Sequence, residues 1–453
     1  MTMTQSFSAA LALTIAASRL PCESRAEDPP TNNLATAPAL DELVDQYFRA
    51  NDSKERTKLA FSIEEAAGGS IEAIAASVQQ IPARLPFNDT GRIIVTTTSA
   101  GDVTATFQVM LDAEGRYARA MFLCLPAKDE LAEEPRATIR AVTLLAPAIS
   151  EGCFVVGLDK PVAGSFLQHV AAAQDLRKIV RELRRTLYVD TNRLFLIGAA
   201  EGGEAAWIAA LFQPDLFAGV ITVSSAPRLP FVQQHFPLLA DNLRGTAVFS
   251  IVPPDNPSLN AWTRFLADFT GQRSVPIRIA QVAYPSNIKL GPIPDRRAIA
   301  GPLREFLSQG RNPPGRPISH WFRYPAQGDV GWLRAVKTYG DVWTEDQLSI
   351  AVSPTTDRDA FIADVLKGKL FHLGGRVEGQ TIHIETKRIA EVELRLFDGM
   401  VDFAKPITVI INGRKRHEGL VRPSIKTMLE AAHEEWEFQR ILYAKVSYSI
   451  REE

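Results

Sequence analysis

A serine enzyme that transfers acyl groups needs three things. Its hydroxyl stands on a sharp turn, a base lies within hydrogen-bond reach, and N–H donors face the developing oxyanion. One stretch of this chain has the shape for the first. Leu194 to Ile197 is a short apolar run with the length of a buried strand, and Glu201 to Phe212 reads as a helix. Between them lies a small-residue turn in which Gly198, Ala200 and Gly202 are spaced glycine-x-centre-x-glycine. The centre is a methyl group, which cannot attack a carbonyl. The nearest hydroxyls that could replace it are Ser224 and Ser225, at the end of the next apolar run, with His235 as a base.

The flanks make the turn more specific. Asp190 and Arg193 precede the strand, and Gln213-Pro214-Asp215-Leu216-Phe217-Ala218 follows the helix and leads into Gly219 to Val223. From about residue 85 to 310 the chain resembles the secreted bacterial esterase and prolyl-oligopeptidase-like (S9-type) branch of the α/β-hydrolases. That branch carries a Ser-centred nucleophile elbow at this place and orders its triad Ser, acid, His. The resemblance implies an acid after the strand Ala247 to Val252, where Asp255 stands as a possible remnant; Pro-Asp-Asn also favours a plain turn. It implies a His on the loop after Pro276 to Val282, yet no His occurs between His235 and His320. It implies an oxyanion loop after the third strand, where Pro126 has no N–H to give. Nucleophile, base and oxyanion loop all depart from the pattern, so a degenerate triad is expected.

Composition narrows the partners. At 453 residues the chain has room for two or three domains, and a formal net charge of −2 gives no basic field for nucleic acid. With no apolar run of about 18 residues, no transmembrane span is expected. Phe7 to Ala17 is apolar and is followed by Ser24-Arg25-Ala26, a small-x-small site that predicts a cleaved export signal and a periplasmic or extracellular protein. Its weak feature is the absence of Lys or Arg before Arg19. Cleavage would leave Cys124 and Cys153, both in or beside apolar strand-like runs, which favours two buried thiols over a disulfide. Neither C-x-x-C nor H-E-x-x-H occurs, so no metal and no cofactor is expected.

The remaining elements follow from periodicity. Leu43, Val44, Tyr47 and Phe48 form a helical stripe, Ser53 and Ser70 can cap two further helices, and this segment is expected to pack on the hydrolase-like region. Phe166 to Leu187 is a long helix whose end carries Arg181, Arg184 and Arg185; these could hold an anion, but a solvated helix end is the expectation. Beyond Asn312-Pro313-Pro314-Gly315 the chain turns β-rich. Asn412-Gly413 signals a tight hairpin, followed by a helix from Ser424 to Trp436 and a closing strand from Ile441 to Ile450. Arg414, Lys415 and Arg416 read as a solvated hairpin tip, and Trp321, Trp332 and Trp343 as core more readily than sugar-binding aromatics.

The expected architecture is α/β: an α/β-hydrolase-like, mostly parallel sheet with flanking helices, a helical N-terminal segment and a C-terminal β-sandwich-like domain. The expected boundaries are 1–26 signal peptide, 27–39 linker, 40–85 helical segment, 86–312 hydrolase-like domain and 316–453 C-terminal domain. The expected function is binding or assembly by an exported pseudoenzyme, with an unknown protein, peptide or glycan as ligand. Two alternatives stay open. One is an active esterase or peptidase using Ser224 or Ser225 with His235. The other is a cell-surface or carbohydrate-binding protein acting through residues 316–453.

Overall fold

The structure is a computed structural model that describes residues 37–84, 90–97, 101–110, 120–125, 153–159, 170–227, 236, 238–254, 256–272, 275–282, 296–343 and 358–451. Its centre is one eight-stranded sheet. In chain order the strands are β1 (Thr90–Thr96), β2 (Asp102–Met110), β3 (Ala120–Leu125), β4 (Cys153–Leu158), β5 (Leu194–Ala199), β6 (Gly219–Val223), β7 (Ala247–Val252) and β8 (Ile277–Gln281). In space they run β1-β2-β4-β3-β5-β6-β7-β8. Only β2 opposes its neighbours; β4 through β8 pair in parallel. This is the expected α/β-hydrolase-like sheet.

Parallel strands covered on both faces read as unbroken apolar runs, and β3, β4, β5 and β6 are buried at every position. Alternate side chains go to opposite faces. On one face Phe122, Phe195, Ile197, Ile221 and Phe249 meet Ile299, Leu303 and Phe306 of a helix, Arg296–Leu307. On the other, Leu123, Leu196, Val220 and Val248 meet Leu176, Ile179 and Leu183 of Val170–Leu187 and the residues of Ala200–Phe212. Ala141 to Leu145, an apolar run that also reads as a strand in the sequence, lies outside the described residues.

The N-terminal helices are α1 (Ala37–Arg49), α2 (Ser53–Ala66), α3 (Ile71–Gln79) and α4 (Ile81–Arg84). We number the later ones α5 (Val170–Leu187), α6 (Ala200–Phe212), α7 (Pro257–Gln272), α8 (Arg296–Leu307), α9 (Arg358–Lys369) and α10 (Ile425–Glu435). Ser70 caps α3 as expected, accepting from the Ala73 N–H at 3.2 Å. The cap of α2 is Asp52 rather than Ser53: its carboxylate accepts from the Lys54 N–H, the stronger acceptor taking the cap. The packing expectation also changes. Val44, Tyr47, Phe48, Ile63, Ile74 and Val78 share their core with Met428, Leu429, Trp436 and Phe438, around α10. The first helices are thus completed by the end of the chain, with Tyr188 at the foot of α5 as an added edge contact.

Two further sheets form the C-terminal β-rich region. One has the order β10-β11-β14-β17 and the other β16-β15-β13-β12-β9. Their strands are β9 (Ile318–Phe322), β10 (Asp329–Val330), β11 (Leu333–Thr338), β12 (Phe371–Glu378), β13 (Thr381–Lys387), β14 (Ile389–Phe397), β15 (Ile407–Ile411), β16 (Arg414–Gly419) and β17 (Leu442–Ser449). Phe322, Leu373, Ile382 and Val409 from one sheet and Leu333, Val392, Leu394 and Ala444 from the other share a single apolar core. Asn412 (φ 49°) and Gly413 (φ 77°) turn β15 into β16 with two left-handed residues, as an Asn-Gly hairpin requires. Asn242 joins this region to helix α6, which packs on the large sheet. Its side chain donates to the carbonyls of Trp321 (2.7 Å) and Leu211 (2.8 Å) and accepts from the Trp321 N–H (2.7 Å). No helix among the described residues is long and apolar enough to cross a membrane.

Candidate functional site

The turn between β5 and α6 is built as its glycines suggested. Ala199 is extended, with φ −120° and ψ 154°, and Ala200 then takes φ 46°, in the left-handed region. That reversal sends the chain from strand to helix in one residue and costs an L-residue about 1 kcal/mol. Two neighbours must lack a side chain for the turn to close. A Cβ on Gly198 would run into the Gly202 backbone, and one on Gly203 would lie 2.5 Å from the Ser225 Cβ and 2.9 Å from the Gly198 carbonyl oxygen. From Ala205 to Phe212 helix α6 is apolar all round and buried, which anchors the far side of the turn.

Ser224 stands beside this turn. The β5–β6 register pairs Ala199 with Val223, so Ala200 and Ser224 follow directly at the ends of these adjacent parallel strands. Ser224 is also left-handed, at φ 48°, and its N–H donates to the Ile251 carbonyl at 2.8 Å. Its hydroxyl and that of Ser225 are buried and have no hydrogen-bond partner among the described residues. Ser225 packs behind the turn, against the bare Cα of Gly203. His235, Asp255, Pro126 and the whole loop from Ala283 to Pro294 lie outside the described residues. The structure therefore brings Gly198, Ala200, Gly202, Ser224 and Ser225 together, with no hydrogen-bonded base or acid beside them among the described residues.

A serine–histidine contact that no motif announced lies elsewhere. Ser319 Oγ and His372 Nε2 are 3.3 Å apart on the paired strands β9 and β12. The His372 ring lies against Trp321, with centroids 4.3 Å apart, and burial together with His320 and Lys387 pushes its pKa down to about 4. An imidazole that weakly basic makes a poor general base near neutral pH, and no carboxylate hydrogen-bonds to it among the described residues. Cross-strand register created the pair, and register leaves no linear motif.

The other expected candidates fall as follows. Trp321 and Trp332 are buried, and the Trp332 indole donates to the Arg316 carbonyl at 2.8 Å, so neither presents a sugar-stacking face. Trp343 is covered by the Lys369 ammonium, 4.7 Å from the ring centroid. Lys415 bonds Glu418 on the exposed hairpin. Cys124 and Cys153 are both buried and form no disulfide, and burial pushes the Cys153 thiol up to about 12. The arginines ending α5 correct the solvated-end expectation in part. Arg181 and Arg185 flank Glu182 at the surface, but Arg184 is 4 % exposed and turns inward towards Glu437.

No protein-family model matches this sequence, and no curated protein matches it either. Among solved structures, the chain is similar to a thermostable esterase at 17 % identity and a TM-score of 0.35, covering 49 % of this chain and 64 % of that one. It is similar to the enterobactin esterase of Shigella flexneri at 12 % identity and a TM-score of 0.37, covering 49 % of this chain and 60 % of that one. An arylesterase matches at 13 % identity with a TM-score of 0.36, covering 60 % of this chain and 98 % of that one. The chain thus spans less than two thirds of the first two. Likeness at this level carries no argument about chemistry or substrate. What stands on this chain's own strand order is an α/β-hydrolase-like sheet whose sharp strand-to-helix turn carries alanine.

Proposed function

We propose that the protein is exported and uses an α/β-hydrolase-like scaffold for binding or assembly rather than for hydrolysis. The observation that carries this reading is Ala200. It occupies the left-handed centre of a turn that two glycines keep open, a costly backbone shape held without the hydroxyl it would serve. The sequence adds to it, with no His from Phe236 to Ser319 to act as the base. The candidate binding surface is the carboxyl edge of the large sheet around Ala200 and Ser224, where ligands of open α/β sheets sit. A protein, peptide or glycan fits this reading. Fold alone does not choose among them.

Assay of the purified protein against short-chain p-nitrophenyl esters and aminoacyl p-nitroanilides tests the loss of catalysis. Rates equal to buffer are expected, and saturable turnover would overturn the reading. Export predicts a mature N-terminus near Glu27, and an intact Met1 on protein recovered from its native host would contradict it.

One observation favours a second reading, an active serine hydrolase. Ser224 is next to Ala200 on the same sheet edge, and its hydroxyl lacks a partner among the described residues. That reading requires His235 to reach Ser224 Oγ.

A further inference from the structure

Between the large sheet and the C-terminal β-rich region lies a cavity of about 120 Å³, near the amino ends of the parallel strands. Helix α5, the turn after α6, strands β10 and β14 and the end of α10 all contribute to its walls. Among the residues that line it, buried cations outnumber buried anions. At the rim the exposed Arg334 and Lys445 are matched in number by the exposed Glu434 and Glu435, and Arg334 also lies 4.0 Å from Asp329. Inside, the guanidiniums of Arg177, Arg184, Arg311, Arg395 and Arg440 face the carboxylates of Asp215, Asp329 and Glu437.

One flank of the cavity is paired. Arg177 bonds Asp215 at 3.1 Å, and Arg395 bonds Asp329 and Glu393, each at 2.9 Å. The other flank is not. There Arg184, Arg311 and Arg440 share Glu437, which also accepts from the Thr191 hydroxyl and the Gln439 and Arg440 N–H groups. Arg311 bonds Glu437, Arg440 reaches it only through that N–H and gives its Nη2 to the Asn312 carbonyl, and Arg184 comes no closer than 3.9 Å. Four guanidinium nitrogens are buried with no acceptor among the described residues: Arg184 Nε and Nη2, Arg311 Nε and Arg440 Nε. Asp190 is close enough to Arg311 to interact with it electrostatically, and its carboxylate accepts from the Asn192 N–H at 2.9 Å.

Charged donors left without an acceptor inside a protein are among the costliest arrangements a fold can hold. Guanidinium forks are the usual clamp for tetrahedral oxyanions. We infer that this cavity binds a phosphate-sized tetrahedral dianion, held by Arg184, Arg311 and Arg440, which ties the hydrolase-like sheet to the C-terminal region. The titration behaviour agrees. Burial drives Arg184 down to about 10 and Arg440 well below the ordinary guanidinium value, with the other arginines adding to both. This inference is independent of the role assigned to Ala200.

The test is thermal unfolding of the intact protein in inorganic phosphate, sulfate or chloride at matched ionic strength. Phosphate and sulfate are expected to raise the melting temperature by several degrees over chloride, as a ligand specific to the folded state does. Because both anions also stabilise proteins by exclusion, Arg440→Met is the control, and about tenfold or more of the phosphate affinity is expected to go with it. Glu437→Gln gives the complementary result. It removes the carboxylate that these arginines share, so it should melt early in chloride and be rescued by phosphate more strongly than wild type. An equal phosphate shift in wild type and Arg440→Met would overturn the site. So would a Glu437→Gln protein that phosphate does not rescue.

Discussion

Ala200 and Ser224 hold matching places just past the ends of adjacent parallel strands, each one residue beyond the Ala199–Val223 register pair and each left-handed, with φ of 46° and 48°. Two sharp turns thus stand side by side on the carboxyl edge of the sheet. The first depends on bare glycine: Gly198 and Gly203 have backbone or Ser225 where a Cβ would go.

Backbone shape at this turn makes opposite predictions for two small substitutions. Ala200→Gly should leave stability unchanged or raise it by up to about 1 kcal/mol, because glycine adopts a left-handed φ without strain. Gly203→Ala should cost about 1–3 kcal/mol or more, since its methyl group would have to displace Ser225 or the Gly198 carbonyl. Urea unfolding of both proteins measures the difference. A stabilised Gly203→Ala, or an Ala200→Gly that loses more than about 1 kcal/mol, would contradict the turn geometry.

Buried histidines set the acid sensitivity. His320 is enclosed, with Nε2 2.8 Å from the Gln327 carbonyl oxygen, and burial pushes its pKa down from 6.5 to about 4. The unfolded chain therefore takes up that proton first as the pH falls. Stability is fully present above about 6.5 and is lost on the way down to about 4, where the His320 contribution amounts to about 3 kcal/mol. His320→Gln should flatten the decline between those pH values by a similar amount, read from urea midpoints across the range. An unchanged pH slope would show that His320 does not carry it.

Much of this fold is legible in the residues. The runs Gly219 to Val223 and Ala247 to Val252 stand as strands at those bounds, because strands covered on both faces are apolar throughout and end where turn residues begin. The turn at Ala200 is legible because only glycine tolerates the contacts at 198 and 203. Arg184 was not. Three arginines at a helix end look solvated, and the partner that draws one of them inward, Glu437, lies on the far side of the chain with no pattern linking the two. The docking of α1 to α3 on α10 was hidden for the same reason: an amphipathic stripe reports that a face is buried, not what buries it. Ser319 and His372 meet only through strand register.

Restoring the hydroxyl alone should not restore catalysis. Triad members act as a unit, and a serine without its base contributes little. Ala200→Ser is expected to fold and to hydrolyse p-nitrophenyl esters no faster than wild type. Clear turnover by this variant would place a functional base near residue 200, with His235 the first to replace.

The central claim is that no serine of the folded protein is activated for nucleophilic attack, and labelling with a fluorophosphonate serine-hydrolase probe tests it most directly. Such probes react with a hydroxyl that has an adjacent base and an oxyanion site, and ordinary serines are too weakly acidic to compete. The turn carries Ala200, and the Ser224 and Ser225 hydroxyls are buried with no partner among the described residues. The expected result is no labelling of the native protein above its heat-denatured control. Labelling of the native protein that disappears on denaturation, with the tag mapped to Ser224 or Ser225, would contradict the account and establish a relocated nucleophile.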